Sequence, residues 1–464
     1  MGKSLLRGAT AAHGWYFAAL LALSVLSGTA SAQSEPPPEL VIPMTPKPAP
    51  SMAEQNAKIR ADGRKAYDAG DFADYLRQLQ TLSERLPNHP DVAIRLAAAQ
   101  ARTGNKADAL ATLAAIAEMG VTVDLTTDPR NTEDFRSLGA APEFVSWQAR
   151  MKANAAPLSA GAIWHKFTEP DLLTEDVSYD PKDGSFYVSS VLRHKVLRVD
   201  GKGREHLFPL VAPENGWNVL AVEVDPARRV LWISAQAIRG YPGISAEDAG
   251  KSRLSAYGLA SKRRLYTHEF KPQGDTQAAV GDIALAPNGD LLASDSVQGK
   301  IYRVSADRKV LDVLNQPFIS PQDIAVTADG AIAFVADYSR GIARIRLDTG
   351  EQDWLAADRS IALSGIDGMY LRGHGLLLVQ NGLHPPRIVY CALDSALRAI
   401  TGCLVLERGA EVLGEPTHGV VVGNDFIYLA NSGWDKIDEN GVLAKGATFD
   451  PAVLRRLALP APIH

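Results

Sequence analysis

The sequence predicts a mainly β protein, a six-bladed β-propeller, preceded by a small α-helical domain. Three observations carry that expectation: an internal duplication, further copies of the same unit, and a change of hydrophobic period near residue 53. The duplication is the clearest. GDIALAPNGDLLASDSVQGKIYRV is followed 41 residues later by QDIAVTADGAIAFVADYSRGIARI. Each copy reads as strand, Asn/Asp-Gly turn, strand, Gly-containing loop, strand. A strand-rich period in the forties is the length of a propeller blade. With that template, units start near residues 176, 221, 282, 323, 367 and 418. Six such units close a ring with their first strands lining the central channel.

Residues 1–32 read as a signal peptide. Lys3 and Arg7 give the positive start, Trp15 to Leu26 a short apolar run, and Ala30-Ser31-Ala32 a small-residue cleavage site. The run is too short for a spanning helix, so the mature chain is expected in the periplasm or outside the cell, with no membrane span. Residues 33–52 form a Pro-rich linker. Removing Lys3 and Arg7 takes the net charge from −5 to −7, and the remaining Lys and Arg are scattered. That pattern argues against a nucleic-acid partner.

Residues 53–151 change to helical period. Gly70 and Gly104 lie 34 residues apart, as do Leu79 and Leu113. AYDAGDFADYLRQLQTLSERLPNHPDVA and QARTGNKADALATLAAIAEMG resemble tetratricopeptide repeats. Such helices either bind a protein partner on a concave surface or pack against the propeller. The propeller is expected over 160–445 with a tail over 446–464. AIWHKF (162–167) is expected as the outermost strand of the last blade, closing the ring and removing exposed edges. Cys391 and Cys403 fall on the outer strands of the fifth blade. They are either a cross-strand disulfide, suited to an oxidising compartment, or two buried thiols.

Residues that open the six first strands converge on one channel mouth. They include Glu175, Asp176, Asp282, Gln322, Asp323, Asp367 and His418. So many acids about one axis repel unless a positive charge sits among them. Scattered hard oxygen donors suit calcium. Alternatively, Asp176 and Asp323 accept backbone N–H groups of the neighbouring blade with no metal. Either role suits Glu175 and Asp367, and His418 reads as a hydrogen-bonded channel residue or a base. Loops on the same face offer Arg193, His194, Tyr241, Tyr338, Arg340, Asn381 and His384 for substrate contacts. The long insert 236–253 is the expected lid.

These residues also carry a family resemblance. Glu175-Asp176-Val177-Ser178-Tyr179-Asp180-Pro181 resembles the opening E-G-P-x-W-D-P of the gluconolactonase / senescence-marker-protein (regucalcin) family. Asp367-Gly368-Met369 resembles its P-D-G-M, and Glu415-Pro416-Thr417-His418 falls where its last blade begins with P-T. The resemblance covers roughly residues 160 to 445 and leaves out the helical domain. It implies a divalent metal, calcium first, on Glu175, Asp367 and, in place of an Asn, Gln322. It makes Asp282 the acid/base, with His418 a second candidate for moving protons, while Gly281 replaces the family's neighbouring Asn. The implied chemistry is hydrolysis of a lactone or ester. The added helices leave a second expectation open, a non-catalytic propeller that binds a ligand or protein. No G-x-S-x-G, Walker or dinucleotide motif is present.

Overall fold

The computed structural model describes residues 50–125, 128–312 and 317–462. The expected signal peptide and most of the linker lie outside the described residues. Among the described residues, no helix is long and apolar enough to cross a membrane.

Six antiparallel sheets stand around one axis. Blades one to four each have four strands in sequential order, beginning with Val177–Asp180, Asn218–Asp225, Val280–Leu285 and Pro321–Val326. Blade five begins at Ile366–Leu371 and gains a parallel two-residue strand, Ala356–Ala357. Blade six begins at Gly419–Val422, and its outermost strand is Ala162–Lys166, paired antiparallel with Val453–Ala458. The ring therefore closes through the start and end of the propeller, as the AIWHKF strand suggested. One boundary differs. Val453–Ala458 is the third strand of blade six, so the propeller extends beyond 445. Most of the expected tail was misread because the intervening loop, 430–452, is long and Gly- and Asp-rich.

Between blades the inner faces are filled by close-packed apolar side chains, for example Phe334, Leu376 and Leu378 between blades four and five. Cys391 and Cys403 face each other across the two outer strands of blade five and form a disulfide. Of the two readings open in the sequence, the structure takes this one.

The helical region runs from 52 to 154. Helices α1 (Met52–Asp68) and α2 (Phe72–Arg85) form one hairpin, and α3 (Pro90–Arg102) and α4 (Lys106–Glu118) a second. The short α5 (Pro129–Asp134) and α6 (Pro142–Asn154) follow. Ser51 and Glu54 form a capping box that starts α1. Gly70 and Gly104 turn each hairpin with positive φ. The second hairpin and α6 share one apolar core with Ala362 and Leu383 of blade five. The helices thus use the propeller as the partner for their apolar face.

Candidate functional site at the channel mouth

Strand register aligns the six blades. Val177, Val222, Ile283, Ile324, Met369 and Val420 are equivalent, each paired with the second strand. One residue earlier stand Asp176, Ala221, Asp282, Asp323, Gly368 and Gly419. Two earlier stand Glu175, Leu220, Gly281, Gln322, Asp367 and His418. In blades two, three, four and five the pairing shifts at this point. An extra residue in the first strand is a β-bulge, and bulges re-aim side chains at sheet rims. This is why Asp367, between paired Ile366 and Gly368, can turn out of its own blade.

Asp176 and Asp323 do structural work. Asp176 accepts the N–H groups of Val177 at 2.7 Å and of Val222, in the next blade, at 2.8 Å. Asp323 accepts those of Ile324 and, one blade on, Met369, both at 2.7 Å. The repeated Asp-Ile/Val pattern is thus an inter-blade clamp. Burial raises Asp176 to about 6 and Asp323 to about 8, partly offset by His418.

Asp282 holds the same strand position but faces inward. Its Oδ1 lies 3.0 Å from His418 Nε2 across the channel, and both side chains are buried. The other ring nitrogen, Nδ1, lies 3.1 Å from the Glu175 carbonyl oxygen. With an oxygen beside each nitrogen, the ring is set up to carry two protons. Burial opposes that charge, but Asp282, then Asp367 and Asp176, raise His418 well above the ordinary imidazole range.

Above this pair, donor atoms of Glu175, Asp367 and His418 all lie within 4.8 Å of one another. Asp367 Oδ2 accepts from Asn381 Nδ2 at 2.6 Å, and Asn381 Oδ1 accepts from Tyr338 Oη at 2.9 Å. Glu175 Oε2 accepts the Trp434 indole N–H. Burial, then the charge of Asp367, pushes Glu175 well above the carboxylate range. Burial raises Asp367 to about 6, against the pull of His418. Two carboxylates held this close favour a proton or a cation between them.

The Tyr338–Asn381–Asp367 chain depends on two glycines. Gly365 N–H donates to the Tyr338 carbonyl at 2.7 Å, and Gly382 N–H to the Gly365 carbonyl at 3.2 Å. A Cβ on Gly382 would lie 2.5 Å from Tyr338 Oη and 2.6 Å from Gly365 Cα. Only a bare backbone passes there.

Of the seven expected substrate contacts, Tyr338 and Asn381 join this network, as orienting groups for Asp367. Arg193 is half exposed and ion-paired with Asp171. His194 packs beneath the blade-two insert, its Nε2 3.4 Å from Asn218 Nδ2. Tyr241 is buried among Leu173, Val191, Leu220, Ile238 and Ile437. The insert itself is pinned, with Gly250 N–H on the Ala237 carbonyl at 2.7 Å. Arg340 stacks over Trp354 at 4.1 Å and reaches Met52 Sδ of α1. The His384 carbonyl accepts Thr122 N–H at 2.7 Å. Arg340 and His384 therefore serve the helical interface. Gln322 is half-buried at the rim and donates to Ser320 Oγ at 3.1 Å.

Glu415, which is not among the expected site residues, is a further acid near Asp367. Burial, then Asp367, raises it to about 8, and its Oε2 has no hydrogen-bond partner. Its place three residues before His418, in the loop that leads to the channel, was the available signal.

The arrangement is that of a six-bladed propeller with a buried acidic mouth and one imidazole across the axis. Neither a family model nor a curated protein matches the chain. Among solved structures it is similar to the calcium-binding protein regucalcin from Agrobacterium tumefaciens, at 15% identity over 66% of this chain and 98% of that one, TM-score 0.44. It is similar to virginiamycin B lyase from Staphylococcus aureus, at 13% identity over 63% and 98%, TM-score 0.43. A luciferin-regenerating enzyme matches at 12% identity over 66% and 99%, TM-score 0.44.

Proposed function

We propose that this is an exported, metal-dependent hydrolase of lactones or esters, with calcium as the metal. The observation that supports it most is the meeting of Glu175 and Asp367 donor atoms, from blades one and five, with His418 of blade six within 4.8 Å. The donor set fits a hard divalent ion: two carboxylates, each with one oxygen held by a neighbouring N–H, which fixes their direction. Gln322 stands at the equivalent rim position of blade four and would add an amide oxygen.

A bound ion of this kind supplies Lewis acidity toward a carbonyl oxygen and toward water. The chain's own residues do the rest. His418 Nε2 and Asp282 Oδ1, 3.0 Å apart at the channel mouth, are the pair that would take and return a proton. Tyr338, kept protonated by burial and the acids around it, locks the Asn381 amide so that its N–H faces Asp367. The walls around the dyad are buried, which keeps bulk water away.

The test is hydrolysis of neutral γ- and δ-lactones and simple esters by chelated protein before and after calcium is returned. A rate that returns with the ion and falls on the order of 10²-fold in Asp282→Asn supports the reading. A rate indifferent to chelation, or none on any substrate, contradicts it.

A second reading is a non-catalytic binding propeller. His418 can supply a positive charge at the mouth unaided, and Gly281 and Gln322 replace the family's Asn residues. A protein partner on the helices belongs to this reading. Calcium-free folding at full stability with ligand capture but no turnover would favour it.

A further inference from the structure

Resting on the reading of Asp367 as a metal ligand, we infer that the helical module braces the blade-five loops of the site, and that Arg387 is the positioning residue through which α4 holds the strand carrying Asp367. Arg387 opens the third strand of blade five and is 3% exposed. Its Nη1 donates to the Met119 carbonyl at 2.6 Å, the residue that caps the C-terminus of α4. Its Nε donates to Gln380 Oε1 at 2.8 Å. Gln380, fully buried, passes the connection on: its Nε2 donates to the Ala362 and Ser364 carbonyls at 3.0 and 3.1 Å. Those carbonyls belong to the loop that leads into Ile366 and the bulged Asp367.

Among the described residues, no carboxylate forms an ion pair with Arg387. Its charge is met by the Gln380 amide oxygen and by the Met119 carbonyl at a helix C-terminus, where unpaired C=O groups and the helix dipole both favour a cation. A buried guanidinium without a counter-ion is costly, so this arginine is poorly explained as packing alone. It joins two groups, the Met119 carbonyl at the end of α4 and the Gln380 amide of blade five. Neighbouring contacts brace the same loops. Thr122 donates through N–H and Oγ1 to the His384 carbonyl, at 2.7 and 3.1 Å. Asn88 Nδ2 donates to the Asp358 carbonyl at 3.0 Å. Ala362 and Leu383 lie in the helical core. The helices thus grip both segments, 358–364, which leads into Gly365, and 381–386, which carries Asn381 and Gly382.

Hydrogen exchange and calcium titration of the full chain test the inference together. In Arg387→Met, amides of 362–371 and 381–384 should exchange about tenfold faster or more, with the other blades protected as in the wild type. Calcium affinity should fall about tenfold, the scale on which supporting residues act on a metal site. Arg387→Lys keeps the charge but not the planar fork, so it should fall between the two, and it carries the test if the Met variant does not fold. Wild-type exchange in both segments of a folded variant overturns the inference. A wild-type chain that takes no calcium overturns the metal reading beneath it, and the exchange result then judges the role of Arg387 alone.

Discussion

At Asp367 one carboxylate oxygen is committed to Asn381, and that amide is in turn committed to Tyr338. Removing the orienting amide should matter almost as much as trimming a ligand. Asn381→Ala is expected to weaken calcium binding about 10- to 100-fold while the melting transition stays cooperative. Lower in the channel, Glu223 accepts from Ser178 Oγ at 2.9 Å, and burial raises it to about 8 from 4.5. Between those two values the folded chain keeps a proton that the unfolded chain has lost. Stability from this group is therefore full below 4.5 and declines as pH rises through 8. Glu223→Gln should flatten the decline and gain about 1 kcal/mol or more at pH 9, measured by urea melts across pH. An unchanged slope would show that Glu223 is ionised in the fold.

At the scale of the element, the inner strand is a structural member and, in the proposed function, a ligand carrier, with the two roles at adjacent positions. Asp323 clamps two blades through two backbone N–H groups. Asp323→Ala leaves both donors buried and should cost about 2–4 kcal/mol, whereas Asp367→Asn should cost little stability and remove calcium binding. Equal stability losses in the two variants would contradict this division. The Gly365–Gly382 crossing is the other element-scale constraint. Gly382→Ala, with its methyl carbon 2.5 Å from Tyr338 Oη, should displace Tyr338 and mimic Asn381→Ala in titrations.

At the scale of the whole molecule, closure and the helical contact determine what the mouth can do. The disulfide lies on the outer strands of blade five, away from the axis. Cys403→Ser is expected to lower stability by about 2–3 kcal/mol, read from denaturant melts, with calcium affinity unchanged. The ring was legible in the sequence because one strand–turn–strand unit recurs six times, most plainly in the copies that start near 282 and 323, and so was the strand that closes it. The acids at the mouth were legible for the same reason. What joins them was not. Asn381 and Trp434 come from loops whose paths are set by tertiary contacts, and nothing local distinguishes them from Arg340 or His384 in loops of the same kind. The latter two are taken up by the helical region, roughly 260 to 290 residues earlier in the chain. Pairing of His418 with Asp282 needed the ring itself, since blades three and six meet only across the axis.

Calorimetric titration of the chelated full chain with calcium decides whether Glu175 and Asp367 form one cation site. A single site is expected in the wild type, lost in both Glu175→Gln and Asp367→Asn. No binding in the wild type, or undiminished binding in both variants, would contradict it.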